Sequence, residues 1–596
     1  MSITGIRNAL DEAKPLPRAT REIDPEPDQG RVVNGIKTRA GDWKPDMLGL
    51  PPDCPVRPLG VDGKVGWFMD PIGQLQNLEP PYGKGHLLGL FGGRDRYLAW
   101  AWPRHSKKGI DGYAAEHAAA CLINSCFAKG QFSLAERVRG SGAWRDKGGN
   151  LVLHVGDKVL IGGKLCDPGE IGDYVYTRRP PLERPWMRTI DPADDPALVV
   201  LPLLRKWNWG RPDVDPVLML GWIGVAFLSG ALPWRPAVFV TGDKATGKST
   251  LQRVVKAILG DWLVQSVNTT AAGIYQKIGH DSRPVALDEM EAKANSTRAK
   301  AVLELARQAT SGGVMLRGGD KHTGVEFEAR SAFLFSAINA PPLEPQDLSR
   351  LALLRLMKST GEAPVIDEQR LALSGQMILR RLIDNWGSLP AVKAAFDEQL
   401  AAGGHDKRGQ DTFGTLLSIA SLIVGERFDD LEVPLGDDLS PWGELLKADG
   451  LIENEDALPN WLMCLNHLLT VDVEAWRDRG KQTVGEVVEQ MHGGTLDVGD
   501  AKGLMAKAGL GLHRDQGLEH SLFVPNVNPR VRGLYDDSKW AGEEGAGAWS
   551  QALRQAPDGV CRPGAMRING VQCRGTLICL KALYGANGVM ASIDDL

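Results

Sequence analysis

Cysteine is scarce in this chain, with 8 in 596 residues, and those present are scattered. Cys121 and Cys126 stand five apart and Cys573 and Cys579 six apart, so no C-x2-C pair exists for histidines to complete. That spacing argues against a structural zinc site and fits reduced thiols better than a disulfide framework. A basic excess is also lacking: 69 Lys and Arg face 74 Asp and Glu, a net charge of −5. No global field draws nucleic acid, which disfavours a coating role and leaves room only for a local basic patch, such as the inner surface of a ring. No apolar run is long enough to cross a bilayer. The nearest, within Val217 to Leu232, is short and feeds almost directly into a strand, so a buried helix and no membrane partner are expected. The opening MSITGIRNALDEAKPLP has no apolar signal-peptide core. A cytoplasmic protein is the expectation. Clustered carboxylates for two-metal chemistry are missing too. Asp191, Asp194 and Asp195 fall in IDPADDPA, which reads as a linker, so a fused primase is not expected.

What remains is an ordinary globular composition, 43% hydrophobic and 24% charged. A chain of this length divides into roughly three or four domains. Its most telling stretch is VFVTGDKATGKS, Val238 to Ser249. The pattern is G-x-x-x-x-G-K-[ST]: a hydrophobic strand, a glycine-bearing loop, then a helix. In such a loop the backbone N–H groups curl around phosphates, and glycines stand where a Cβ would block that approach. Gly242, Asp243, Lys244, Ala245, Thr246, Gly247, Lys248, Ser249 and Thr250 are therefore the expected nucleotide-binding residues. Lys248 would reach the β- and γ-phosphates of ATP and Ser249 would ligate Mg2+. The helix after them directs its positive dipole end to the same place.

Hydrolysis needs a second carboxylate site. In RPVALDEME, Val285 to Leu287 read as a buried parallel strand with Asp288 and Glu289 at its carboxyl end, where open α/β sheets bind ligands. Asp288 suits the Mg2+ shell, and Glu289 could polarise the attacking water. A third strand, Ala332 to Ile338, ends at Asn339, whose amide could orient that water or sense the γ-phosphate. In DLSRLALLRL, Arg350 and Arg355 bracket a short apolar run. An arginine reaching a neighbouring subunit's γ-phosphate is worth about 10³–10⁵ in rate. Val314 to Arg317 and Val325 to Phe327 form two β-prone runs around a glycine-rich turn that carries Lys321 and His322.

From Thr310 to Leu356 the chain reads TSGGVMLRGGDKHTGVEFEARSAFLFSAINAPPLEPQDLSRLALLRL. It resembles the superfamily 3 helicases: the papillomavirus and polyomavirus replicative helicases, parvovirus replication proteins, and the helicase half of phage and plasmid primase-helicases. The likeness covers residues 237–357. It implies an AAA+ core with a central parallel sheet and a ring, usually a hexamer, moving 3′→5′ on single-stranded or forked DNA. The hairpin's Lys321-His322 would be the DNA-gripping pair, Asn339 the sensor amide, and Arg350 the finger, with Arg355 as the other choice. A separate primase is among the partners this resemblance brings in.

The expected fold is thus multidomain α/β: a P-loop AAA+ core at 236–365, an N-terminal α+β domain at 56–190, and helical flanks. Residues 1–55, proline-rich and without periodicity, read as a flexible tail or linker. Residues 191–235 read as a helical collar, 366–499 as a helical region, and 500–596 as a winged-helix-like or docking domain. That last unit would contain a helix in GAWSQALRQAP, a hairpin turning at Asn569-Gly570, and a final helix in TLICLKALYG. Two further function classes stay open on the same core. One is a nucleotide-switched origin-binding or assembly factor, and the other a double-strand DNA translocase.

Overall fold

The computed structural model describes residues 24–43, 49–267, 269–290, 297–318, 324–338, 343, 345–358, 364–451, 459–473, 482–514, 520–536, 538–541, 547–557 and 559–584. They fall into two units, residues 1–453 and 454–596.

The first unit is built on five parallel strands, β1 (Ala237–Thr241), β2 (Val264–Ser266), β3 (Val285–Leu287), β4 (Phe333–Ala337) and β5 (Leu351–Arg355), in spatial order β2-β3-β4-β1-β5. Strand β4 thus separates the phosphate-loop strand from the carboxylate strand. The inner strands read VAL and FLFSA, buried throughout, as a sheet covered on both faces requires. Covering helices are α1 (Pro196–Leu204), α2 (Asp215–Leu228), α3 (Lys248–Leu259), α4 (Ala271–Ile278), α5 (Thr297–Ser311), α6 (Glu368–Asp384), α7 (Leu389–Ala402) and α8 (Lys407–Val424). One apolar core joins α2, α3, α6 and α8 to one face of the sheet, and a second joins α4 and α5 to the other.

Every residue of α2 is buried, and the Trp222 indole donates to the Phe333 carbonyl at 3.0 Å. Within the segment expected as a collar, α2 is therefore part of the apolar core that covers the parallel sheet, because a helix apolar all round has no polar face to turn outward. No helix among the described residues is long and apolar enough to cross a membrane. A two-stranded antiparallel ribbon, Val314–Gly318 with Gly324–Glu328, stands before β4. Its tip, Lys321 and His322, lies outside the described residues, as does Asn339.

Ahead of the core lie antiparallel strands Arg57–Asp62, Val65–Met69 and Leu75–Leu78, the helix Ala115–Lys129, and a four-stranded sheet that includes Gly142–Arg145 and Leu151–His154. The linker expected over residues 1–55 needs correction, since the described residues 24–43 and 49–55 within it include paired strands. Strands Arg31–Val33 and Ile36–Thr38 pair, the Arg31 guanidinium lies over Tyr97 and Trp100, and it bonds to Asp24 at 2.6 Å. A cation over desolvated aromatic faces holds a segment whose own sequence has no periodicity.

The second unit has its own core around Trp461, Tyr535 and Trp549. Helices Asn460–Thr470 and Val484–His492 belong to it, so the region expected as 366–499 divides between the two units. Its sheet is antiparallel, in the order Gly511–Arg514, His520–Pro525, Val571–Cys579, Cys561–Ile568. Asn569 and Gly570 both have positive φ, 52° and 82°, and close the last hairpin in the geometry a two-residue I′ turn requires. The expected helix in TLICLKALYG starts four residues late, because Thr576–Cys579 belong to a strand. Thr576 and Ile578 pair with Val524 and Leu522, and helix remains only over Leu580–Tyr584.

Candidate nucleotide site

The loop after β1 rises at the carboxyl edge of the sheet and runs directly into α3, whose N-cap is Gly247. Gly247 is left-handed, φ +91°, and a Cβ there would lie 2.7 Å from the Trp207 indole nitrogen. A Cβ on Gly242 would come within 2.4 Å of the Leu356 carbonyl oxygen. Gly247 is therefore required by its left-handed backbone and the Trp207 ring, and Gly242 by close backbone approach. Lys248 Nζ donates to the carbonyls of Gly242 at 2.5 Å and Asp243 at 2.9 Å, which places the ammonium over the loop. A cavity of about 550 Å³ is lined by residues 244–250 together with Asp288, Glu289, Ala337 and Ile338.

The structure brings the two metal-ligand candidates together. The Ser249 hydroxyl lies 3.5 Å from Asp288 Oδ2. Asp288 Oδ1 accepts from the Ser336 hydroxyl on β4 and from the Glu289 amide at 3.0 Å. Ser336 in turn accepts from the buried Gln252 amide on α3 at 3.2 Å. One carboxylate oxygen is thus held by the sheet while the other faces the loop. A hydroxyl and a carboxylate converging beside a helix N-terminus are oxygen donors of the kind Mg2+ takes when phosphate completes its shell. Glu289 has φ +57°, a left-handed conformation uncommon for a side-chain-bearing residue and typical of functional sites. The same network explains why Ser336 interrupts the apolar run FLFSA. A lone hydroxyl in a buried strand was the available sign, but its partners are remote in sequence.

The two arginine candidates sit at opposite ends of β5. Strands β1 and β5 run parallel with Ala237 beside Leu351 and Thr241 beside Arg355. Arg355 therefore shares the carboxyl edge with its own phosphate loop. Arg350 precedes the strand, on the far edge, about 13–16 Å away at ~3.3 Å per residue. Its Nη1 donates to the Gln346 carbonyl at 2.8 Å, and the guanidinium lies 5.9 Å from the Trp234 ring centroid.

Sequence reasoning missed the segment 207–211. The Trp207 indole donates to the Gly247 carbonyl at 3.1 Å, Gly210 N–H to the Arg355 carbonyl at 2.7 Å, and Arg211 Nη2 to the Leu353 carbonyl at 2.9 Å. Met357 N–H donates back to the Asn208 carbonyl at 2.7 Å. This clip ties the end of β5 to the phosphate loop.

No protein-family model matches the chain, and no curated protein does. Among solved structures, the chain is similar to three apo structures of the NrS-1 C terminal region, two of them in the A form. Identities are 10%, 11% and 12%, with TM-scores of 0.31, 0.31 and 0.32. Each alignment covers 88% of this chain and 96% of the other. At that level the likeness carries no functional argument.

Proposed function

We propose that this chain is an ATP-dependent DNA helicase that works as a ring in the replication of a mobile genetic element such as a phage, prophage or plasmid. The observation that carries the reading is the convergence of Ser249 and Asp288, 3.5 Å apart at the mouth of the phosphate-loop cavity. Around it, Gly242 to Thr250 cradle the phosphates of Mg-ATP, with Lys248 neutralising charge on the β- and γ-phosphates. When bound, Mg2+ polarises the phosphate oxygens. Asp288, fixed by Ser336, and Ser249 hold the metal's place. Glu289 polarises the attacking water and accepts its proton, and the Asn339 amide orients that water. Arg350, too far from its own loop, serves the site of the adjacent copy, so activity requires assembly. Arg355 stays at the edge of its own site. Lys321 and His322 at the ribbon tip grip single-stranded DNA in the ring. Each contact is weak, but several in one ring are not.

Strand displacement on a forked duplex with ATP tests this. The expected result is unwinding of the fork and none of a blunt duplex, with Lys248→Ala inactive. ATP hydrolysis with tracking along blunt duplex but no strand separation would favour a double-strand translocase. DNA binding switched by nucleotide without unwinding would favour an assembly factor.

A further inference from the structure

In the second unit, strands Cys561–Ile568 and Val571–Cys579 pair as a ribbon, and neither contains an aspartate or glutamate. Residues directly opposite in an antiparallel pair share a face, and alternate residues along each strand do too. Met566, Ile568 and Cys573 lie toward a small core with Phe523, Leu577 and, on the helix Val498–Lys507, Ala506. At the turn, the Asn569 side-chain amide donates to the Ala506 carbonyl at 2.9 Å, so the ribbon is held down on that side. The other face runs past the end of strand His520–Pro525 and carries Ala565, Arg567, Gln572 and Arg574, all exposed. Arg567 stands opposite Gln572 and Arg574 opposite Ala565. The two arginines are thus diagonal neighbours, roughly 7–8 Å apart at the backbone. No ion pair or side-chain hydrogen bond ties either guanidinium to another of the described residues. Two cations held side by side repel, a cost that a bound polyanion offsets.

We propose that this open face of the ribbon, through Arg567 and Arg574, binds the phosphate backbone of duplex DNA. The proposal rests on the helicase reading for DNA as the partner and goes beyond it, since that reading gives DNA contacts only to Lys321 and His322. A single strand is the poorer match. Such sites stack bases on aromatic rings, and Ala565, Arg567, Gln572 and Arg574 offer none. An acidic protein segment is poorer too, because Ala565 and Gln572 flank the arginines where a protein partner would need large apolar anchors. A two-stranded ribbon with cations on its open face can lie along a duplex groove. Contacts to phosphate position the protein without reading sequence. The docked turn means that little of the ribbon has to be ordered on binding.

The test is fluorescence anisotropy of the full-length chain on a labelled blunt duplex and on a labelled single strand, across a salt series. The proteins are wild type, Arg567→Gln/Arg574→Gln and Arg567→Lys/Arg574→Lys. The glutamine pair should weaken duplex binding about 10-fold and lower the slope of log affinity against log salt by roughly 2, one per lost phosphate contact. Single-strand affinity and Tm should stay at the wild-type values, because both side chains are exposed. The lysine pair should keep most of the duplex affinity, since it keeps both charges. Duplex affinity and salt slope equal to wild type would overturn the proposal and leave the face to a protein partner. An equal loss on the single strand would overturn it as well. ATP turnover of the same proteins separates this site from the reading beneath it. A chain without turnover whose duplex binding still depends on the two arginines would sink the helicase reading and leave the ribbon site standing.

Discussion

The Trp207 indole nitrogen lies 3.1 Å from the carbonyl oxygen of Gly247, the left-handed residue at which the phosphate loop becomes a helix. That bond fixes the plane of the Gly247–Lys248 peptide, and with it the direction of the first amides of α3. Trp207→Phe keeps a ring in the core and removes only the donor. Nucleotide affinity should fall about 3- to 10-fold, the worth of one neutral hydrogen bond of ~1 kcal/mol, while Tm changes little. Fluorescent-nucleotide titration beside a thermal melt checks both. A large Tm loss with unchanged affinity would make Trp207 a packing residue only.

Asp288 depends on β4 for its orientation. Ser336→Ala removes the hydroxyl that holds Oδ1 and leaves the Gln252 amide without its acceptor. We expect kcat to fall about 10-fold, with half-maximal activity moved to higher Mg2+, as when a supporting partner of a metal ligand is lost. An Mg2+ titration of hydrolysis reads both effects.

Much of the site is legible in the sequence because its parts are contiguous. The loop from Gly242 to Thr250 and the pair Asp288-Glu289 each occupy one stretch at a strand's end. Ser336, Gln252 and Trp207 are not legible. They reach Gly247 and Asp288 only when β4, α3 and the segment before α2 meet, and nothing local marks them beyond a hydroxyl in an apolar run. In the second unit, Thr576 to Cys579 read as helix but fold as strand, since pairing with His520–Pro525 outweighs a weak local preference. The hairpin at Asn569-Gly570 was legible because its turn chemistry is local.

Asp195, at the N-terminus of α1, is 5% exposed and accepts from Arg381 Nη2 at 2.7 Å, with Arg427 at 3.4 Å. Burial raises its pKa, but Arg381 and the neighbouring donors outweigh this, so it ends below its ordinary value. Asp195→Asn deprives the half-buried Arg381 of its carboxylate, while Arg427 keeps Asp430 at 3.0 Å, and should cost about 3 kcal/mol in the first unit. Chemical denaturation followed by tryptophan fluorescence measures it. Because the folded pKa is depressed, this stabilisation is present above the ordinary carboxylate pKa and is lost as pH falls through the folded value.

His154 is fully buried, with Nε2 3.1 Å from the Gly156 carbonyl, and burial lowers its pKa, as it does that of His280. Both are favoured neutral in the folded chain. Their stabilisation is present above the unfolded value of ~6.5 and declines as pH falls below it. The Tm of the first unit should drop between pH 7.5 and pH 5.5, by less in His154→Gln than in wild type. Equal slopes would exclude His154 as a source of the acid sensitivity.

Hydrolysis coupled to DNA is the centre of the account. The direct measurement is ATP turnover with and without single-stranded DNA, for wild type and for Lys321→Ala/His322→Ala. The account predicts that DNA accelerates the wild type and that the double variant keeps basal turnover but loses the acceleration. Turnover indifferent to DNA in both proteins would contradict it and leave a nucleotide-driven assembly factor as the better description.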